Sequence, residues 1–170
     1  MNVSDKLAEW LADNDITQAF GIVGAGNVAI FDAIHRLGKT AICCTHHEQA
    51  AVMAACYYYR TCGKLSVALV TTGAGSTNAI TGVAAAFMDS IPVIVISGNE
   101  PSKYFDMPHP RVVGVQGYDS ANLVVGITKS CFKKADGGIK GFDWAKDIAL
   151  DGRKGPVWID IPRDIQVQPC

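Results

Sequence analysis

The feature that most constrains the fold of this chain is a repeated unit: a short apolar segment, a turn containing glycine, and then an amphipathic segment. In the first such unit, the apolar segment 19–23 leads into the turn Gly24-Ala25-Gly26 and a stretch with apolar residues at helical spacing. In a later unit, the segment 65–71 leads into the turn Thr72-Gly73-Ala74-Gly75 and a second such stretch. Strands that alternate with helices pair in parallel, because a parallel pair needs a crossover connection. The pattern therefore predicts an α/β fold on a mostly parallel sheet.

The whole chain supplies about six strands to this sheet, in one domain over residues 1–170. The predicted strands are 19–23, 40–45, 65–71, 91–97, a short one near Cys131, and 157–161, and predicted helices precede the first strand and then run from 27, 48–62, from 76, 120–125 and 142–150. The strand at 91–97 is apolar without alternation, as expected where helices cover both faces of a sheet. We therefore expect a doubly wound sheet between two helical layers, with Asn27 and Ser76 capping the helices that follow the glycine turns.

Charge and composition exclude several classes of protein. Fifteen Lys and Arg stand against sixteen Asp and Glu, with no basic block, which argues against nucleic-acid binding. Apolar residues make up 49% and charged residues 18%, which excludes a disordered chain and suggests that another subunit or domain covers part of the surface. No apolar run approaches the roughly 18 residues of a membrane span, and the N-terminal residues lack a secretory signal pattern. We expect a cytoplasmic protein with no membrane contact.

The cysteines and adjacent histidines do not form a metal site by their spacing. Six cysteines occur without a Cys-x-x-Cys pair, so we expect six free thiols. Cys43 and Cys44 fall in a predicted strand, where we expect them to be buried and unreactive. His46 and His47 are adjacent, so their side chains point apart, and no third ligand is spaced near them. The prediction is that this chain binds no metal.

Three places remain where chemistry could occur. Glu48 follows a strand and begins a helix, where open α/β sheets have their ligand crevice, although a carboxylate there can also simply complement the helix dipole. The turns 24–26 and 73–75 could present backbone N–H groups to an anion, or could be plain tight turns, since neither matches G-x-G-x-x-G or a Walker motif. The segment 98–118, with Pro101, Pro108 and Pro110, has no clear periodicity and is expected to be an active-site or interface loop.

Taken in order, these segments resemble the pyrimidine-binding (PYR) domain of thiamine-diphosphate enzymes of the acetolactate synthase type, which has a flavodoxin-like three-layer fold. The resemblance covers the whole chain and is carried by Phe20-Gly21-x-x-Gly24, His47-Glu48-Gln49-Ala50-Ala51, Thr71-Thr72-Gly73-Ala74-Gly75-Ser76-Thr77-Asn78, Asp89-Ser90-Ile91-Pro92, Gln116-x-x-Asp119, Thr128-Lys129 and the stretch from Gly155-Pro156-Val157 to Asp160-Ile161-Pro162-Arg163-Asp164-Ile165-Gln166. The chain departs from the usual pattern at Val23 and Ala74, where the family has proline, and at Tyr57-Tyr58-Tyr59, where the family has a glycine. We expect the packing of that helix to differ accordingly.

The resemblance implies a role for Glu48. In this family the matching glutamate hydrogen-bonds N1′ of the cofactor's aminopyrimidine and favours the imino tautomer, whose 4′-nitrogen removes the thiazolium C2 proton. A carboxylate held out of water shares a proton with a ring nitrogen better than an exposed one. By the same resemblance, Gly24 and Ala25 would lie against the reactive centre, Gly73, Gly75 and Asn78 would border the pyrimidine, and Gln116 would face the substrate. The implied catalytic residues are Glu48 and Gln116.

The resemblance also implies a missing half. Mg²⁺ and the cofactor's diphosphate are held in this family by a separate diphosphate-binding domain, marked by Gly-Asp-Gly and a later asparagine pair. The nearest approaches here, Asp136-Gly137-Gly138 and Asp151-Gly152-Arg153, are ordinary turn sequences. We therefore expect the chain to be inactive alone and to complete its site against the diphosphate-binding domain of another subunit, in a homodimer or tetramer acting on a small 2-oxo acid by carboligation or decarboxylation. FAD is possible in the full enzyme.

Three interpretations of the chain stay open at this point. It is an excised N-terminal domain of a longer enzyme that also has a middle domain, or the α subunit of a split decarboxylase of the sulfopyruvate type. The third interpretation is a flavodoxin-like binding module without catalysis, because fold alone does not establish function.

Overall fold

In the computed structural model, which describes residues 1–105, 111–133 and 140–170, the chain forms a six-stranded sheet with every strand parallel to its neighbours. The strands are β1 Gln18–Gly21, β2 Ala41–Cys44, β3 Val67–Val70, β4 Val93–Asn99, β5 Ser130–Phe132 and β6 Pro156–Pro162, in the order β2-β1-β3-β4-β6-β5. The helices are α1 Val3–Asp13, α2 Val28–Leu37, α3 Glu48–Cys62, α4 Ala74–Met88, α5 Ser120–Val124, α6 Lys140–Leu150 and α7 Arg163–Gln166. The α/β class and the six strands predicted from the sequence are confirmed.

Helices cover both faces of the sheet, which makes the fold doubly wound. One core joins α1, α2, α6 and α7 to one face, and the other joins α3, α4 and α5 to the opposite face. The central strand β4 shows why its sequence does not alternate: Ile94 and Ile96 enter the first core, while Val93 and Val95 enter the second. All seven residues of β4 and of β6 are buried. The three-layer arrangement is therefore set by strands that are apolar on both faces.

A crevice is expected where the chain changes direction across the sheet, between the carboxyl ends of β1 and β3. The chain leaves β1 through α2 on one face and returns to the edge strand β2. It leaves β3 through α4 on the other face and continues to β4 on the opposite side. Loops that diverge from neighbouring parallel strands in this way leave space at the strand ends, which is the usual ligand position in open α/β sheets. Both predicted glycine turns lie at this point.

The position of the first predicted helix cap is confirmed, and the second predicted cap is wrong. Asn27 does stand at the N-cap of α2, but its Oδ1 accepts from the Gly24 backbone N–H (2.7 Å) and its Nδ2 donates to the Ile22 carbonyl (3.1 Å). The side chain therefore closes the first glycine turn instead of bonding the helix. In α4 the N-cap is Gly73, and Ser76 lies within the first turn, where its hydroxyl donates to the Gly73 carbonyl. At both sites the glycine turn, and not the polar residue, determines where the helix begins.

The expected burial of Cys43 and Cys44 is also wrong, since both are exposed. They lie in β2, which forms one edge of the sheet, and α3 packs against β1 and β3 instead of covering β2. On an edge strand that α3 does not cover, Cys43 and Cys44 stay in solvent, while Ile42 packs against the core that contains α2. All six cysteines are free thiols, as predicted, and Cys56 is buried in α3.

The segment predicted as a long loop begins later than expected, because Gly98 and Asn99 complete β4. A single 3-10 turn follows at Ser102–Tyr104, and Val113 and Gly117 exchange two backbone hydrogen bonds of 2.7 Å. Pro108, Pro110 and the turn predicted at Asp136-Gly137-Gly138 lie outside the described residues. Short α7 was not predicted, since four residues show no measurable periodicity. Over the residues described, no helix combines the length and the apolar character that crossing a membrane requires.

Candidate functional site

Glu48 is the first residue of α3, and its side chain is buried with 8% of its surface exposed. Asn78 of α4 donates from Nδ2 to Glu48 Oε2 at 3.0 Å. No other described residue hydrogen-bonds the carboxylate, so Oε1 is left without a protein partner in the described part of the chain. A buried carboxylate with one committed and one uncommitted oxygen is prepared to bind an N–H group or to share a proton with a ring nitrogen.

A glycine, Gly75, lies directly beside Oε1. A Cβ atom placed on Gly75 would stand 3.4 Å from Glu48 Oε1 and 2.6 Å from Thr71 Cγ2. The close approach of α3 and α4 depends on another glycine, since a Cβ on Gly82 would lie 2.7 Å from Val52 Cβ. Small residues on α4 thus allow the close packing that brings Asn78 within reach of the glutamate.

Thr71, which follows β3, connects the two glycine turns. Its Oγ1 accepts from the Gly26 backbone N–H at 3.0 Å, and a Cβ on Gly24 would stand 2.6 Å from the same oxygen. Its methyl group faces Gly75. The threonine therefore packs against glycines from both turns and places them side by side. Sequence reasoning did not assign Thr71 a role, although it begins the motif that ends at Asn78.

Gly73 and Gln116 form a second contact at the same edge of the sheet. Gly73 has φ +67°, a left-handed conformation that favours glycine, and a Cβ there would lie 2.8 Å from Gln116 Cγ. Gln116 is exposed and donates from Nε2 to the Thr72 carbonyl at 3.2 Å. The glutamine therefore lies over the second glycine turn and has no hydrogen bond to Glu48.

A buried polar network holds the segment that carries Gln116. Asn99 at the end of β4 accepts from the Thr72 hydroxyl (3.0 Å) and donates to Asp160 Oδ2 of β6 (2.8 Å) and to the Tyr118 carbonyl (3.1 Å). Ser120 donates to Asp160 Oδ1 at 3.0 Å. The network therefore joins β4, β6 and the second glycine turn to the stretch before α5.

Asp160 is the charged group in this network, and burial raises its pKa to about 6. Hydrogen bonds from Asn99 and Ser120 act in the opposite direction, and the nearby charge of Asp119 adds to the increase. Neither Asn99 nor Asp160 was identified as a site residue from the sequence. The available signal was a polar residue within each of two otherwise apolar buried strands.

The structure thus brings four of the predicted residues, Gly24, Glu48, Gly75 and Asn78, around Thr71 at the ends of β1 and β3. Ala25 is exposed at the tip of the first turn, and Gly73 lies against Gln116. Within the described ranges, no group of three or more His, Cys, Asp or Glu is arranged to hold a metal ion. The arrangement offers an uncommitted carboxylate oxygen next to glycine backbone, and such an oxygen can accept a hydrogen bond from a ligand N–H group.

Comparison with known proteins places this geometry in context. Residues 1–123 match the family model described as "Thiamine pyrophosphate enzyme, N-terminal TPP binding domain". The matched part includes β1–β4, both glycine turns, and every residue contacting Glu48 in the description above.

Several curated proteins are similar over nearly the whole chain. The acetolactate synthase large subunit of Haemophilus influenzae is 37% identical over 167 residues, which cover 95% of this chain and 28% of that protein. The acetolactate synthase isozyme 2 large subunit of Escherichia coli is 34% identical over 98% of this chain and 30% of its own length. The mitochondrial acetolactate synthase catalytic subunit of Saccharomyces cerevisiae is 34% identical over 92% of this chain and 22% of its own. The chain therefore spans less than a third of each relative.

Proposed function

This chain belongs to the thiamine pyrophosphate enzymes, in the family of their N-terminal TPP-binding domains, and on that basis we propose that Glu48 binds the aminopyrimidine ring of thiamine diphosphate. The observation that carries the proposal is the buried Glu48 carboxylate, whose Oε2 accepts from Asn78. Its Oε1 has no partner among the described residues and faces the side where Gly75 lacks a side chain.

The described residues fit such a ring in two respects. An aminopyrimidine ring needs close approach to backbone, and Gly24 and Gly75 present backbone without a side chain next to Thr71, which fills the space where their Cβ atoms would stand. Its ring nitrogen needs a carboxylate partner sheltered from water, which Glu48 provides.

In the proposed mechanism, Glu48 Oε1 holds the proton that it shares with ring nitrogen N1′. Asn78 fixes the orientation of the carboxylate by binding Oε2, so that Oε1 is the oxygen offered to the ring. Gly24 and Gly75 allow the ring to approach, and the helices α3 and α4 exclude water from its glutamate side. When bound, thiamine diphosphate supplies the carbanion chemistry of the reaction.

We further propose that the whole protein acts on a small 2-oxo acid by carboligation or decarboxylation. The support is that the relatives named above are acetolactate synthase subunits and that this chain spans 22–30% of their lengths. The proposal assigns Mg²⁺ and the diphosphate to a diphosphate-binding domain of another subunit, and leaves this chain inactive by itself. Gln116 faces the substrate in this proposal, and FAD in the full enzyme stays a prediction.

An exposed apolar surface supports association with that partner. Tyr57 of α3 and Met88 of α4 are 63% and 69% exposed, and Phe87 is 39% exposed. These side chains lie on the two helices that carry Glu48 and Asn78. They lie towards the C-terminal ends of these helices, so a subunit that covered them would contact α3 and α4 away from Glu48.

The test uses nuclear magnetic resonance, which detects weak binding to this 170-residue chain. Thiamine diphosphate is titrated into the wild-type chain, Glu48→Gln and the control Glu9→Gln, which replaces a glutamate on α1. We expect amide shifts around residues 24, 48, 75 and 78, and a loss of affinity of about tenfold or more in Glu48→Gln, because a charge-assisted hydrogen bond is removed. Glu9→Gln should bind as the wild type does.

A second measurement addresses turnover. The chain is mixed with a diphosphate-binding domain, thiamine diphosphate and Mg²⁺, and pyruvate consumption is followed. Activity that disappears in Glu48→Gln and persists in Glu9→Gln supports the role of the glutamate. Equal affinity and equal consumption in the two variants would refute it, and binding without any consumption would favour a non-catalytic module.

A further inference from the structure

Gln166 lies far from Glu48 in the chain and is nearly fully buried, with 1% of its surface exposed. It is the last residue of α7, and its Nε2 donates to the Gly26 carbonyl at 2.6 Å and to the Ile161 carbonyl at 2.8 Å. Its own backbone carbonyl accepts from the Ser4 hydroxyl of α1 at 3.0 Å. The residue is therefore fixed at both ends, with its amide pointing at the first glycine turn.

The Gly26 peptide that receives this hydrogen bond is enclosed on several sides. A Cβ on Gly98 would overlap the Gly26 carbonyl oxygen, so the end of β4 packs directly against the turn. On the other side of the residue, the Gly26 N–H donates to Thr71 Oγ1. Among the described side chains, Gln166 alone donates to the Gly26 carbonyl. This carbonyl is a buried acceptor, and leaving it without a hydrogen bond would cost stability.

The position of Gly26 determines where the rest of the turn lies. The same Thr71 oxygen that accepts from Gly26 packs against Gly24, and the Thr71 methyl packs against Gly75 beside Glu48. A displacement of the Gly26 peptide would therefore move Gly24 relative to Thr71 and change the width of the crevice. The donor that prevents this displacement comes from the C-terminal motif, to which the proposed chemistry assigns no task.

We propose that Gln166 is a positioning residue for the cofactor site, which holds the turn Gly24–Gly26 in place through its hydrogen bond to the Gly26 carbonyl. The link to the cofactor rests on the function proposed above, whereas the effect on the turn does not. Gln166 touches neither Glu48 nor the crevice and acts only through the turn.

The test replaces Gln166 by methionine, which has similar volume and no donor. The matched control is Thr40→Val, because the Thr40 hydroxyl is a buried donor to the Ile16 carbonyl (2.7 Å) at the opposite, amino-terminal edge of the sheet. Hydrogen exchange is measured at the amides of residues 24, 26 and 27, which are hydrogen-bonded within the turn or to Thr71. We expect exchange about fivefold faster in Gln166→Met than in Thr40→Val, after correction for global stability.

A second readout is the affinity for thiamine diphosphate under conditions where both variants are fully folded. Gln166→Met should lose about fivefold and Thr40→Val should lose nothing. Gln166→Glu is a milder variant, because a protonated carboxyl at this buried position donates one hydrogen bond in place of two, and it should fall between wild type and Gln166→Met.

The outcomes separate this inference from the function on which it rests. Turn amides that exchange equally in Gln166→Met and Thr40→Val would overturn the positioning role, whatever the chain binds. Faster exchange with unchanged affinity would overturn its link to the cofactor. If the wild-type chain binds no thiamine diphosphate, the proposed function fails and the exchange data alone decide whether Gln166 holds the turn. If Gln166→Met does not fold, Gln166→Glu supplies both comparisons.

Discussion

The buried Asp160 should make the stability of this protein depend on pH in an unusual direction. Burial raises the pKa of Asp160 from 3.8 to about 6 in the folded chain. A carboxyl group whose pKa is higher in the folded state stabilises the fold when it is protonated, so its contribution is complete below the unfolded value. That contribution is lost as the pH rises through about 6. The protein should therefore lose stability through this group as the solution becomes less acidic.

The size of the effect follows from the difference between the two pKa values. A shift from 3.8 to about 6 corresponds to about 3 kcal/mol of unfolding free energy, of which about 2 kcal/mol falls between pH 4.5 and pH 7.5. Urea unfolding across this range, for the wild type and Asp160→Asn, isolates the contribution because every other titrating group is present in both proteins. The wild type should lose about 2 kcal/mol relative to the variant as the pH rises.

Asp164 provides the matched control. The pKa of this carboxyl is lowered overall. Burial acts to raise it, but hydrogen bonds from the Ser102 hydroxyl and backbone N–H together outweigh that effect. The contribution of Asp164 to the unfolding free energy is therefore lost only as the pH falls below 3.8, the ordinary pKa of an aspartate. Asp164→Asn should differ from the wild type by a constant amount between pH 4.5 and pH 7.5. A constant difference for Asp160→Asn as well, or one that grows in the opposite direction, would refute the reasoning.

Two further predictions concern the packing of α3 against α4 and the burial of Cys56 in α3. Gly82→Ala should lower the unfolding free energy by about 1–3 kcal/mol, because the new Cβ would meet Val52 at 2.7 Å and overpacking outweighs the better helix propensity of alanine. The control is Gly126→Ala, where nothing lies within 4 Å of the new Cβ. If urea unfolding shows that both variants match the wild type, the close packing of α3 and α4 is contradicted. A thiol reagent should label exposed Cys43 rapidly and buried Cys56 only on unfolding, since burial raises the pKa of Cys56 to about 11; peptide mapping of the native protein with early label on Cys56 would show that α3 opens readily.

The parts of the fold that were predicted correctly are those that depend on the local order of apolar, polar and glycine residues. Apolar segments that alternate with helical patterns identified the strands, and the absence of alternation in β4 indicated that helices cover both faces. Strand order is not contained in such patterns. The strand β2 was therefore expected to be buried like the others, while its place at the edge exposes Cys43 and Cys44.

The site residues predicted from the sequence were identified by motif resemblance, whereas residues that act through contacts with distant parts of the chain were not. Glu48, Gly75 and Asn78 lie within recognisable motifs, so a resemblance could identify them. Asn99 and Gln166 act through hydrogen bonds to residues distant in the chain, at Asp160 and Gly26. Contacts of this kind depend on which strands and helices become neighbours, and no local pattern specifies them.

The two oxygens of the Glu48 carboxylate differ, since Oε2 accepts from Asn78 and Oε1 has no partner among the described residues. This difference shows what local sequence spacing can and cannot predict. Gly75 and Asn78 are three residues apart in α4, so they lie on one face of the helix. On that face the Asn78 amide donates to Oε2, and Gly75, which has no side chain, lies beside Oε1. The spacing alone could have indicated that a hydrogen-bond donor and a glycine lie next to each other. The spacing could not indicate that Glu48 is the residue facing them. Glu48 begins the helix that follows β2, and β1 lies between β2 and β3 in the sheet. One carboxylate oxygen is available for a ligand because two helices from different βα units meet at this crevice, with Gly82 allowing them to approach.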